Sequence, residues 1–70
     1  MTKPDPLQDV YLVMREEYDI NGKLTNRYVQ SIHTDPKIAD SLCNQTKVNI
    51  QKLIERKEAA VYVEKRLMVY

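Results

Sequence analysis

The sequence predicts an α+β domain of ββαβ order, in which a three-stranded antiparallel sheet of spatial order 2-1-3 carries one helix on one face. Three observations lead to this fold. Two strand-like segments flank Asn21 and Gly22, a strong hairpin signal. An amphipathic segment follows over residues 35–57, and a third strand-like segment spans residues 61–70. A right-handed crossover places the third strand beside the first, which is therefore central.

The predicted hairpin comprises residues 10–18 and 24–32, both rich in β-branched and aromatic side chains. Residues 1–9 contain Pro4 and Pro6 and little apolar material, so they are expected to form a flexible N-terminal arm. Residues 10–70 are expected to form a single domain, because 70 residues is close to the smallest size that supports one core.

The length of the turn decides which side chains of the hairpin share a face. A two-residue turn pairs Met14 with Val29, whereas a three-residue loop with Gly22 in a left-handed conformation pairs Met14 with Tyr28. We prefer the longer loop because it gathers the apolar side chains on one face. That face then holds Val10, Leu12, Met14, Tyr18, Leu24, Tyr28 and Ile32.

The helix predicted over residues 35–57 has a marked start. Thr34 or Asp35 supplies a capping oxygen, and Pro36 occupies the first helical position, where its missing N–H costs nothing. At about 100° per residue, one face of the helix holds Ile38, Ala39, Leu42, Cys43, Thr46, Ile50, Leu53 and Ile54. This stripe is expected to cover the sheet face that carries Val10, Leu12, Met14, Tyr28, Ile32, Val61 and Val63.

The opposite sheet face is then uncovered, and it holds more apolar surface than a solvated face needs. Its predicted contact residues are Tyr11, Val13, Val29, Tyr62, Met68 and Tyr70. An exposed patch of this kind usually marks a contact surface. The sequence therefore predicts protein binding through this face or through the edge of strand three. The partner is a second copy in a homodimer or a different protein; partial cover by the N-terminal arm is the alternative.

Composition excludes several classes of partner. Eleven basic and ten acidic residues give a net charge of +1, so no bulk field draws the chain to nucleic acid or to an anionic membrane. No apolar run approaches the roughly 18 residues that span a bilayer, and the N-terminus lacks the apolar core of a signal peptide. The unpaired Cys43, placed on the core face of the helix, is typical of a reducing cytoplasm.

The residues that could carry chemistry do not form a site. His33 is the only histidine, and Cys43 is expected to be buried in the core. Glu16 and Glu17 are neighbours on a strand and point to opposite faces, so they cannot act as an acid and base pair. The single glycine excludes a phosphate-binding loop. We therefore predict no catalytic residue, no metal site, no cofactor and no small-molecule substrate.

Two alternatives remain open. A small nucleic-acid-binding module would use the cations of the second half of the helix and of strand three, namely Lys47, Lys52, Arg56, Lys57 and Arg66. This alternative is weaker because the dipole of a helix already favours cations in its last turn. A structural subunit of a homo-oligomeric assembly is the other alternative, and it requires higher-order self-association.

Three segments are characteristic: Val10-Tyr11-Leu12-Val13, then Glu17-Tyr18-Asp19-Ile20-Asn21-Gly22-Lys23-Leu24, and finally Val61-Tyr62-Val63-Glu64. With the capped helix between the last two, they resemble a group of small uncharacterised ββαβ proteins common in bacteriophage and prophage genomes. The similarity covers residues 10–70 and carries no catalytic or ligand-binding motif. Phage genes of this size often encode accessory proteins that bind and inhibit or redirect a host protein, including components of host defence. The resemblance thus implies a host protein as partner.

Overall fold

The computed structural model of the protein describes the backbone of residues 7–69 and the side chains of residues 8–67. The elements in chain order are β1 (Leu7–Tyr18), β2 (Leu24–His33), α1 (Pro36–Asn49), α2 (Gln51–Glu55) and β3 (Ala59–Val69). The three strands form one antiparallel sheet of order β2-β1-β3, and α1 packs against it. The predicted α+β class, strand order and central strand are confirmed.

The start of β1 differs from the predicted one. β1 begins at Leu7, so Leu7, Gln8 and Asp9 belong to the sheet rather than to an arm, and they lie opposite residues 67–69 of β3. The rest of the predicted arm, residues 1–6, lies outside the described residues, as does Tyr70. No helix in the described part of the chain is long and apolar enough to cross a membrane.

The predicted start of α1 is confirmed in detail. The Asp35 carboxylate caps the helix by accepting a hydrogen bond from the Lys37 backbone N–H at 2.8 Å, and Pro36 follows it. One main helix packs on the sheet as predicted, but it does not continue over residues 35–57, because Ile50 interrupts it with φ −115° and ψ 24°. Ile50 packs against the core beneath α1. This break separates α1 from the short α2.

A left-handed residue ends α2. Lys57 has φ 60°, the Lys57 N–H donates to the Ile54 carbonyl at 3.0 Å, and the Glu58 N–H donates to the Leu53 carbonyl at 2.9 Å. These two bonds form a Schellman motif, in which glycine is the usual left-handed residue. A lysine there carries a steric penalty that glycine avoids.

Replacing Lys57 by glycine is therefore expected to raise the free energy of unfolding by about 1 kcal/mol. The matched control is Arg56→Gly, one residue earlier, where φ is −82° and any residue fits. There glycine only adds freedom to the unfolded chain, so the control should lose stability. Urea denaturation of both variants measures the difference, and equal losses would contradict a strained Lys57.

The hairpin loop is confirmed, but the register beyond it is not. Asp19 N–H donates to the Lys23 carbonyl at 2.9 Å around a three-residue loop in which Gly22 has φ 80°, and Tyr18 lies opposite Leu24 as predicted. Extra β2 residues at Thr25 and Gln30 then shift the pairing twice. Met14 consequently lies opposite Val29, and the preferred pairing of Met14 with Tyr28 is wrong.

The helix covers the face of β1 opposite to the predicted one. The core beneath α1 consists of Val13, Ala39, Cys43 and Val61. The side chains packed against this core are Tyr11, Leu42, Ile50 and Val63. The prediction is correct for Val61 and Val63. It is wrong for Val10, Leu12 and Met14, which form a separate apolar cluster with Tyr62 on the other side of the sheet. Val13 is the largest fully buried side chain among the described residues.

Candidate protein-binding surface

The sheet face opposite α1, here called the open face, is built around the apolar cluster of β1. Val10, Leu12 and Met14 form its centre, with Tyr62 of β3 packed beside them. Residues directly opposite each other in an antiparallel pair share a face, so Ile32, Val29 and Leu24 of β2 continue it beside Leu12, Met14 and Tyr18. Within residues 7–69, no helix packs on this face.

The β2 side of the open face is the most exposed apolar part. Ile32 is 55% exposed, Val29 is 42% exposed and Leu24 is 39% exposed, whereas the central Leu12 and Met14 are buried by their neighbours. The β3 side is charged, because Glu64 and Arg66 lie opposite Leu12 and Val10. The open face is thus an apolar strip with one exposed apolar margin and one charged margin.

The predicted contact residues divide between the two faces. Val29 and Tyr62 lie on the open face, as expected. Tyr11 and Val13 lie beneath α1, so their prediction as open-face contact residues is wrong. Met68 belongs to β3, but its side chain lies outside the described residues, as does Tyr70. In their place the open face presents Ile32 and the cluster of Val10, Leu12 and Met14. These four residues were expected on the face that the helix covers.

A buried carboxylate forms the polar end of the open face. Glu16 is only 7% exposed. Its Oε1 accepts a hydrogen bond from the Tyr18 hydroxyl at 2.6 Å, and its Oε2 accepts from Arg27 Nε at 2.6 Å and from the Tyr62 hydroxyl at 3.2 Å. All three strands contribute to this cluster. It exists because the shifted register places Glu16 opposite Arg27.

The cluster shifts the pKa values of its members. The hydrogen bond from Tyr18 lowers the pKa of Glu16 below the ordinary value of 4.5, and Arg27 and Tyr62 act in the same direction, although burial opposes them. The same hydrogen bond raises the pKa of Tyr18 above 10.0. Burial, followed by the charge of Glu16, raises the pKa of Tyr62 above 10.0. Glu16 is thus held charged and both tyrosines are held neutral.

The cations of the nucleic-acid alternative do not share one surface. Lys47 and Lys52 lie on the helices, and Arg56 and Lys57 follow α2, all four exposed on the helix side of the sheet. Arg66 lies on the opposite side, in the open face, where its Nε donates to Glu64 at 3.1 Å. Arg66 therefore lies apart from the other four cations.

The other two candidate residues are Cys43 and His33. Cys43 is buried in the core beneath α1, as predicted. His33 ends β2, and its Nε2 lies 2.8 Å from the Ser31 hydroxyl. No group of three or more His, Cys, Asp or Glu side chains in the described part of the chain is arranged to hold a metal ion. A shallow groove at the junction of α1 and α2 is lined by Val48, Gln51 and Glu55.

Comparisons with known proteins give no match. No protein-family model matches the chain. A search of curated proteins and a search of solved structures likewise find nothing similar to it. The function must therefore be inferred from the geometry of the open face itself.

Proposed function

We propose that this chain is a small non-enzymatic protein-binding module whose partner docks on the open face. The observation that carries the proposal is the exposed apolar margin of Ile32 and Val29, which continues into the cluster of Val10, Leu12 and Met14. Water contacts at this margin are unfavourable, and a partner that covers it removes them.

The charges of the open face indicate the chemistry of the partner. Among the described residues, Arg27 pairs with Glu16 and Arg66 pairs with Glu64, so the open face has no excess positive charge and suits a protein better than a nucleic acid. The Arg27 side chain is 54% exposed, and among the described residues only its Nε is engaged, by Glu16. Its other N–H groups are free to meet a carboxylate. The expected partner therefore presents an apolar patch bordered by an acidic side chain.

The resemblance to phage and prophage proteins supplies the setting for this proposal. It makes a host protein in the bacterial cytoplasm the first partner to test, and a protein of host defence the most relevant class. An unpaired cysteine such as Cys43 is compatible with that reducing compartment. The role of the module would be to occupy a surface of that host protein and so inhibit or redirect it.

The test compares two variants that place a glutamate at an exposed apolar position. Ile32→Glu alters the margin of the open face, whereas Val48→Glu alters α1, where the side chain is 71% exposed. Both should fold, because neither side chain is buried. Tagged wild-type protein and both variants are incubated with host lysate, and each candidate partner is then purified and titrated by calorimetry.

A partner of the open face is expected to lose at least about tenfold in affinity for Ile32→Glu and to keep its affinity for Val48→Glu. The reverse pattern would move the binding site to the groove beside α2 and would refute the proposal. A partner that binds both variants as tightly as the wild type would also refute it.

A further inference from the structure

The two edges of the sheet differ in their readiness to pair with another strand. β2 carries two extra residues, at Thr25 and Gln30, and such bulges disrupt an edge and prevent pairing. β3 is paired with β1 over its whole length without a register shift, so its outer edge is straight. In the part of the chain that the structure describes, no further strand pairs with that edge. β3 is therefore the edge suited to accept a strand.

The sequence of β3 is complementary to itself when two copies run antiparallel. With the two-fold axis at Lys65, Glu64 lies opposite Arg66 of the second copy, and Arg66 lies opposite Glu64 of the second copy. Moving the axis by one residue in either direction sets Glu64 opposite Glu64 or Arg66 opposite Arg66. Charge complementarity thus selects one register.

The same register brings the exposed Leu67 to an apolar position. Leu67 is 64% exposed, and in this register it lies opposite Val63 of the second copy. Val63 packs against the core beneath α1. Leu67 of each copy would thus extend the core of the other. The repulsion between the two Lys65 side chains is reduced because each Lys65 Nζ lies 3.5 Å from its own Asp9 carboxylate.

We propose that a second copy of this chain pairs with the first along β3, antiparallel, with the two-fold axis at Lys65 and normal to the sheet. The two three-stranded sheets then form one continuous sheet with the order β2-β1-β3-β3-β1-β2. Because the axis is normal to the sheet, both α1 helices lie on one side and both open faces lie on the other.

This inference goes beyond the proposed function, since it concerns an edge rather than the open face. The dimer presents two open faces side by side and leaves both free for a partner. Ile32→Glu, on the far edge of each copy, should therefore leave the dimer intact. Failure of the dimer and failure of open-face binding are thus observed separately.

A charge swap within one chain tests the pairing. We expect the wild type to be a dimer by light scattering at micromolar concentration. Glu64→Lys sets a lysine opposite Arg66 of the second copy, and Arg66→Glu sets a glutamate opposite Glu64 of the second copy. Each single variant should therefore raise the dissociation constant of the dimer at least about tenfold. The double variant E64K/R66E restores opposite charges and should recover the dimer. Circular dichroism shows that each variant is folded.

A monomeric wild type, or a double variant no more dimeric than the single variants, would overturn the proposal. Disulfide trapping checks the register independently. In a Cys43→Ala background, Lys65→Cys places two thiols directly opposite each other, within the range of about 4.4–6.8 Å between Cα atoms that a disulfide bridges. Rapid oxidation to a covalent dimer is expected. Thr25→Cys on the β2 edge is the control, and equal cross-linking of both would contradict the assigned edge.

Discussion

Replacing Val13 by alanine is expected to lower the free energy of unfolding by about 2 kcal/mol. Val13 is fully buried and packs among Ala39, Cys43 and Val61 beneath α1. The change removes two methyl groups from a site whose neighbours belong to a strand and a helix that cannot close the gap fully. For a chain of this size, about 2 kcal/mol is a large part of the total stability.

The matched control is Val29→Ala, which removes the same two methyl groups from a residue that is 42% exposed on the open face. Its expected cost is below about 1 kcal/mol, because much of its side chain is already in water. Urea denaturation with a constant slope for both variants measures the difference. Equal costs would mean that Val13 does not lie beneath the helix.

The sequence does not decide which face of β1 lies beneath the helix. A strand normally reveals its buried face by alternation. Residues 10–14 of β1 are all apolar, so alternation gives no phase there, and both faces of the central strand are in fact apolar. The phase of β3 was correct for Val61 and Val63 because its flanking charges, Glu64 and Arg66, mark the other face.

Local signals were predicted well because they require only neighbouring residues. The loop at Gly22 and the cap at Asp35 are both of this kind. The bulges of β2 are not local: Thr25 donates its hydroxyl to the Glu17 carbonyl at 3.1 Å, and the Gln30 side chain donates to the Thr46 hydroxyl of α1 at 2.9 Å. Such contacts exist only in the assembled fold, so the register could not be read from the chain.

The polar cluster of the open face was missed for the same reason. The preferred register did not place Glu16 opposite Arg27, so no partner for a buried carboxylate was apparent. Two of the predicted contact residues, Val29 and Tyr62, nevertheless lie on the open face. Tyr62 lies there because the phase of β3 is as predicted. Val29 lies there because the shift at Thr25 moves it from beside Val13 to beside Met14, which offsets the exchange of the two faces of β1.

The Glu16 cluster is expected to confine maximum stability to a window of pH. The folded state lowers the pKa of Glu16 below 4.5. The contribution of Glu16 to the free energy of unfolding is therefore complete above the pKa of the unfolded state and is lost as the pH falls through the pKa of the folded state. The folded state raises the pKa of Tyr18 and of Tyr62 above 10.0, so their contribution is complete below 10.0 and is lost as the pH rises further. Stability should therefore fall on both sides of this range.

Glu16→Gln tests the acid side of this window. The variant keeps the shape of the side chain but removes the charge that Arg27 and the two tyrosines meet. We expect it to be less stable than the wild type at pH 7. It should approach the wild type as the pH falls from 4.5 through the lowered pKa of folded Glu16, because the wild-type side chain then loses its charge too. Glu17→Gln is the control, since Glu17 lies outside the cluster and its ion pair with Arg15 is long, at 3.8 Å. Thermal unfolding of the three proteins from pH 3 to pH 7 measures the effect. A constant difference between Glu16→Gln and the wild type over that range would show that the charge of Glu16 does not stabilise the sheet.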